Sequence, residues 1–374
     1  MVDMKFTINS SVLAKQLTAI NGVIVSNPIV PVLENFLFDI TGGKLTVTAS
    51  DLQTSIITEL AIEAPGEAKI AVPARILLET LKNLPEQPIA FTIDEGAYSV
   101  MLSSANGQYK LAGENATDFP QVAKVKEIIT FHIAADILKK AINQSIIATS
   151  QDELKPALNG VYVDINENGL QFVATDGHRL VRYIRTDIQG DSQHSFIIPR
   201  KALSLLSGLL PNDNQAVEIV FGESNVHFKL GKFVMVSRLI DERYPDYENV
   251  IPRGNPNQLI INRPALVASL KRIAIYANKT SHQVKLVLGE HTLGILAEDL
   301  DFANKANEEL SCEYEGNPLE IGFNAKLLIE MLNSLSVEEV VIHLSEPSRA
   351  AIIVPLEKAT EEDILLLVMP IILP

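Results

Sequence analysis

The sequence contains one cysteine, Cys312, no tryptophan, and only 6% aromatic residues. A single thiol excludes an internal disulfide and any cysteine-rich metal site, and it fits a reducing compartment. Without tryptophan, and with few other rings, there is no array on which bases could stack, and no zinc-finger spacing exists. Histidine pairs at i, i+4, a nucleophile elbow and a phosphate-cradling glycine loop are missing as well. The longest apolar run, Ile364 to Leu373, is too short to span a bilayer and is interrupted by Pro370. Met1-Val2-Asp3-Met4-Lys5 has no apolar core of a leader, so the sequence predicts a cytoplasmic chain with no membrane association. Cations are in deficit too. Lys and Arg number 31 against 46 Asp and Glu, a net charge of −15, which on average argues against a polyanionic partner.

What is present is a repeat. At 374 residues the chain exceeds one typical core, and several landmarks recur at one period. Val72-Pro73-Ala74-Arg75 and the leucine-rich segment after it match Ile198-Pro199-Arg200-Lys201 and its own leucine-rich continuation, with a third copy from Phe323 to Leu335. Leu84, Leu210 and Leu335 lie 126 and 125 residues apart; Asp51, Asp176 and Asp299 lie 125 and 123 apart. Pro31 and Pro156, each expected to open a strand, are 125 apart, as are Phe119-Pro120 and Tyr244-Pro245. Each copy reads as a short strand, a helix of about ten residues and three alternating strands, then the same series again. The second helix is entered at Pro73 or Pro199. The predicted class is α+β: three modules, each with two helices on one side of antiparallel sheet. The expected boundaries are 1–125, 126–256 and 257–374, the second at a linker containing Pro252, Gly254 and Pro256.

The charges are sorted. The six predicted helices (12–20, 74–84, 137–146, 200–210, 265–275 and 325–335) carry Lys15, Arg75, Lys82, Lys139, Lys140, Arg200, Lys201, Lys271, Arg272 and Lys326. Their acidic residues are Glu79 and Glu330 alone, so the helices hold +10 against −2 while the remaining chain holds +21 against −44. Lys and Arg favour helices, but so does Glu, and Glu is nearly absent from them. A basic helix layer in an acidic protein points to a polyanion held on one surface by phosphate contacts that read no sequence.

Residues 173–180, Val-Ala-Thr-Asp-Gly-His-Arg-Leu, end a strand at an Asp-Gly turn. Ala49-Ser50-Asp51 and Ala297-Glu298-Asp299 end strands likewise, but without Gly-His-Arg-Leu. The shared Asp reads as scaffold that caps a turn, and Gly177 to Leu180 as an addition presented at the surface. A rival reading makes Asp176 and His178, with Glu298 or Asp299, a hydrolytic or metal-binding set. A second rival is a repeat scaffold that binds only proteins. The tail from Ile364 to Leu373 is apolar where chain ends are usually polar. Leu365 to Leu367 suit a final buried strand, and beyond Pro370 the chain is expected to leave the sheet and wall a groove.

The threefold module, the basic helices, Thr175-Asp176-Gly177-His178-Arg179-Leu180, Tyr244-Pro245-Asp246-Tyr247, Gly322-Phe323-Asn324 and Val368-Met369-Pro370 together resemble the bacterial sliding clamps, the β subunits of DNA polymerase III. The resemblance covers essentially the whole chain. It implies the DNA-clamp fold and a ring-shaped homodimer, closed head to tail, with the helices lining a hole for double-stranded DNA of any sequence. It implies a processivity factor without catalysis, cofactor or metal. The implied partners are the DNA polymerase III alpha subunit, the clamp loader, and other polymerases and repair proteins that bind through short peptide motifs. Helix dimensions agree with a dimer: six helices about 10 Å thick enclose roughly 9 Å, whereas twelve enclose roughly 28 Å, enough for B-DNA.

Position by position, the resemblance implies peptide contacts at Leu158, Thr175, Gly177, His178, Arg179 and Leu180. It adds Pro245, Asn249, Val250 and Asn324, and in the tail Val368, Met369, Pro370 and Ile371. The dimer contacts map to Tyr109 on one side and to Ile275 with Tyr276 on the other. Two departures stand out. The loop from Asn21 to Pro28 lacks the Arg common in the family, and the tail ends Met369-Pro370-Ile371-Ile372-Leu373-Pro374 rather than Met-Pro-Met-Arg-Leu.

Overall fold

A computed structural model describes residues 4–373. Met1 to Asp3, on which the leader reading partly rests, and the added Pro374 lie outside the described residues. Six α-helices occur among them: α1 Ser10–Ile20, α2 Ala74–Asn83, α3 Ala135–Ser145, α4 Arg200–Leu209, α5 Arg263–Ile273 and α6 Ala325–Ser334. Each matches an expected helix. Three start at an asparagine whose side-chain oxygen accepts from the first free N–H groups: Asn9 from Ser11 and Val12, Asn262 from Ala265, Asn324 from Lys326 and Leu327. Apolar residues at helical spacing form the buried faces, Leu13, Leu17 and Ile20 in α1 and Leu328, Met331 and Leu332 in α6.

Pro31 and Pro156 do not open strands. Each begins a 3-10 turn, Pro31–Glu34 and Pro156–Asn159, and the strands start after it at Asn35 and Gly160. The fixed φ of proline suits a first helical turn. Apolar residues that suggest a strand there instead fold inward: Val32 and Leu33 are buried beside Phe119.

The chain divides into two compact units, residues 1–139 with 201–239, and residues 140–200 with 240–374. In the first, a four-stranded antiparallel sheet runs 4–9, 88–94, 99–103, 108–112, and a nine-stranded sheet holds 35–41, 44–50 and 54–61 among its members. Helix α1 packs on α2, on strand 4–9 of the small sheet and on 44–50 and 54–61 of the large one. The helices therefore face two sheets rather than the single one expected. The second unit repeats this plan, with a four-stranded sheet ordered 304–311, 292–299, 283–288, 319–324.

Sheets also cross the repeat boundaries. Strand 54–61 pairs with 233–238, Thr58 opposite Phe233, and strand 179–185 pairs with 362–368, Arg179 opposite Val368. One edge of each small sheet is covered by an isolated bridge, Thr7 with Glu63 and Gly322 with Ile371. The opposite edges, 108–112 and 304–311, have no neighbouring strand among the described residues. No helix there is long and apolar enough to cross a membrane.

Candidate partner groove and basic helix face

The turn after strand 169–175 is built by its own side chains. Asp176 Oδ1 accepts from the N–H groups of His178 (2.9 Å) and Arg179 (3.0 Å). The Thr175 hydroxyl donates to the Arg179 carbonyl at 2.7 Å and accepts from the Gly177 N–H at 3.1 Å. Asp51 does the same for Gln53 and Thr54, and Asp299 for Asp301, so the shared Asp is scaffold. Gly177 has φ +91°, a conformation that side chains rarely adopt.

Only part of the added sequence reaches the surface. His178 is exposed, but Arg179 and Leu180 are buried, against the expectation that all three are presented. Leu180 joins an apolar cluster with Val173, Tyr244, Ile352 and Leu367, on which Leu158 and Tyr247 pack. The Arg179 guanidinium is held at 3.0 Å by Asp176 and at 2.6 Å by Glu330 of α6. A buried cation lacking such partners would be strongly destabilising.

Over this cluster lies a groove of about 850 Å³. Nine of the fourteen expected peptide contacts line it: Leu158, Thr175, Gly177, Arg179, Leu180, Pro245, Asn249, Val250 and Met369. The other five do not. His178 opens instead into an adjoining, more polar cavity of about 920 Å³, together with Lys155, Arg200 and Leu327. Asn324 caps α6, and Val368 is fully buried in the last strand. The chain leaves that strand at Met369, whose N–H donates to the His178 carbonyl at 2.8 Å, and passes Pro370. The Ile371 N–H then bonds the Gly322 carbonyl at 2.8 Å. The expected departure of the tail at Pro370 thus occurs, but Ile371 docks on another strand. Ser348, Arg349 and Ala350 also line the groove; they sit in a loop whose sequence carries no signal for it.

Ion pairs fix the strand that precedes the tail. Arg185 bonds Asp187, Glu361 and Glu362 at 2.7, 2.9 and 3.0 Å, and Arg182 bonds Asp363 at 3.0 Å. Hydrogen bonds from Arg185 hold the Asp187 carboxyl below its usual range. At the groove, burial and then the Glu248 charge push the Tyr247 phenol up to about 12, so it remains neutral and donates to Gln171 Oε1 at 3.3 Å.

The observed helix bounds add Arg263 and Asp136 to the charge count, so the helices hold eleven basic and three acidic residues and the net of +8 stands. Half of the ten expected cations are engaged within the chain. Arg75 pairs with Glu79, Lys140 with Glu362, Lys201 with Asp51 and Arg272 with Glu308, while Lys139 donates to the Leu210 carbonyl. Two hydrogen bonds from Arg272 bring the Glu308 carboxyl down to about 2. Lys15, Lys82, Arg200, Lys271 and Lys326 have no ion pair among the described residues. Tyr109 is half-buried on edge strand 108–112, and Ile275 and Tyr276 are exposed, 66% and 43%, just after α5.

Asp176 is consumed by its turn and by Arg179, and no cluster of three His, Cys, Asp or Glu able to hold a metal exists among the described residues. Family models for the DNA polymerase III beta subunit match end to end: the N-terminal domain over residues 4–123, the central over 132–246 and the C-terminal over 248–371. The beta sliding clamp of Pseudomonas putida is 32% identical over 370 residues, covering 98% of this chain and 99% of the relative. The chain belongs to the beta sliding clamp family. The Escherichia coli beta sliding clamp is 29% identical over 368 residues, with 98% and 99% covered. Among solved structures, the Pseudomonas aeruginosa sliding clamp bound to griselimycin superposes with a TM-score of 0.94 at 31% identity, covering all of both chains. The Bacillus subtilis clamp gives 0.94 at 26% identity, again over both whole chains. The hydrolytic reading and the protein-only scaffold are not favoured by membership of a family whose members are named beta sliding clamp and DNA polymerase III beta subunit.

Proposed function

We propose that two copies of this chain close head to tail into a ring around duplex DNA and tether DNA polymerase III for processive synthesis. Its three domains, 1–125, 126–256 and 257–374, then contribute two helices each, twelve in the ring. The observation that carries this reading is the end-to-end match to the clamp family, with clamp structures superposing over the whole chain. The ring acts without chemistry of its own in the bacterial cytoplasm, and its cargo does the catalysis.

Closure uses the two unpaired edges. Strand 108–112, bearing Tyr109, meets strand 304–311 of the other protomer, next to which Ile275 and Tyr276 lie exposed. Free strand edges and exposed apolar side chains both favour association. DNA passes along the helices, where Lys15, Lys82, Arg200, Lys271 and Lys326 are the free cations and the paired Arg75, Lys139, Lys140, Lys201 and Arg272 add background field. The partner peptide seats one or two apolar anchors over Leu158, Leu180 and Met369, then crosses the turn toward His178 and Asn324. A flexible methionine wall suits several sequences in turn, as polymerase alpha subunit, clamp loader, other polymerases and repair proteins require.

Light scattering paired with retention on circular against linear DNA tests the ring. The expected result is a dimer retained on circular DNA and lost from linear ends. The double variant Ile275→Asp, Tyr276→Asp should be monomeric and unretained. A monomeric wild type at micromolar concentration would rule the ring out.

A further inference from the structure

Glu330 is one of only three acidic residues in the six helices, on a layer otherwise basic. The other two have local uses: Glu79 pairs with Arg75 one turn away, and Asp136 accepts from the Ile137 N–H at the start of α3. Glu330 reaches out of its helix instead. Its carboxylate takes the guanidinium of Arg179, whose side chain is 9% exposed, at 2.6 Å across 151 residues of sequence.

Arg179 stands at a junction. Its backbone pairs with Val368, its N–H and Nε both bond Asp176, and its side chain lines both the groove and the adjoining cavity. Residues alternate along this turn. Thr175 and Gly177 face the groove, Asp176 and His178 face the cavity, and Arg179 passes between. The His178 carbonyl in turn holds the Met369 N–H, where the tail begins. One continuous chain of polar contacts therefore runs from α6 through Glu330, Arg179 and Asp176 to the turn, and on to Met369 in the opposite wall.

We infer that Glu330, which lines the cavity but not the groove, is a positioning residue for partner binding: through Arg179 it holds the turn, and with it the Thr175 and Gly177 wall of the groove, against α6. This rests on the groove being the peptide site. Asp176 alone cannot do the same work, because it lies in the turn it would have to fix, whereas Glu330 belongs to a helix held by its own buried face. The contact also gives the helix layer, on which DNA is proposed to run, a direct mechanical link to the partner groove.

The test titrates a fluorescent clamp-binding peptide derived from the polymerase alpha subunit against full-length wild type, Glu330→Ala, Glu330→Gln and Leu158→Asp. Loss of the link should weaken binding about threefold to tenfold in Glu330→Ala, as expected for one charge-assisted bond that is partly open to water. Glu330→Gln, which keeps an acceptor, should recover part of that loss. Unfolding midpoints should stay close to wild type, since Asp176 still holds the Arg179 guanidinium in every variant and Glu330 is half exposed. Leu158→Asp should not bind. Wild-type affinity in Glu330→Ala with binding lost in Leu158→Asp overturns the inference and leaves the groove standing. Retained binding in Leu158→Asp removes the groove and the inference together. Equal weakening in the Ala and Gln variants alongside a lowered midpoint would mean a general structural role and overturns it as well.

Discussion

Leu52 and Gly177 occupy the same turn position in successive repeats, one residue after the capping Asp, with φ of +76° and +91°. Leucine there bears a steric cost that glycine avoids. Leu52→Gly should therefore stabilise the protein by about 0.5–1 kcal/mol after the added flexibility of the unfolded chain is subtracted. Gly177→Ala should destabilise it by about 1–2 kcal/mol through the backbone alone, because a Cβ there meets nothing within 4 Å. Urea titration of both variants measures the pair, and equal signs would refute the common geometry.

The free and engaged cations should differ on DNA. Lys271→Ala and Lys82→Ala each remove an unpaired charge, and each should flatten the log–log salt dependence of duplex binding by up to about 0.9. Lys139→Ala removes a lysine already donating to the Leu210 carbonyl and should change the slope less. Anisotropy with a short duplex between about 50 and 200 mM salt is expected to separate them. Equal slopes for all three would place every lysine in the same relation to phosphate.

Gly322 should control the tail. A Cβ at this position would fall 2.6 Å from the Ile371 carbonyl oxygen and 2.8 Å from the Leu373 side chain. Gly322→Ala should release Ile371 and Leu373 while leaving the strand up to Val368 in place. The expected reading is faster amide exchange at Ile371 with little change at Leu366. Truncation should likewise begin after Val368, whose removal would open the buried ladder. A chain ending at Val368 should lose peptide binding and keep its dimeric state.

Acid should weaken the fold before carboxylates titrate. Burial lowers His227 and His343 below 6.5; the Glu218 charge opposes the shift at His227, while Lys229 and Lys358 add to it. The unfolded chain binds these protons first, so the stability they contribute is present above 6.5 and is lost as pH falls below it through the lower folded-state values. Urea midpoints should fall between about pH 7.5 and 5.5, and His227→Phe should reduce that fall. A midpoint unchanged across the interval would exclude the effect.

The six helices were legible because each combines helical apolar spacing with a strand before it; α5 starts two residues earlier than its apolar pattern, since Asn262 caps it and Pro264 fits its first turn. The Asp176 turn was legible because an Asp-Gly pair bonds locally. Three things were not. Val32 and Leu33 look like strand until the proline forces a turn. The Glu330–Arg179 pair joins residues far apart in sequence, with no local pattern to betray it. Ser348 to Ala350 enter the groove only because strands 339–344 and 351–355 aim their connection there.

The ladders across repeat boundaries are unequal. Seven residue pairs join 179–185 to 362–368, reinforced by the Arg182–Asp363 and Arg185–Glu362 ion pairs, whereas five join 54–58 to 233–237. Loaded in shear, as by a motor advancing along a template, the five-pair seam would yield first. Of these two seams the chain thus has a built-in order of failure, and the one beside the proposed partner groove is the later to go.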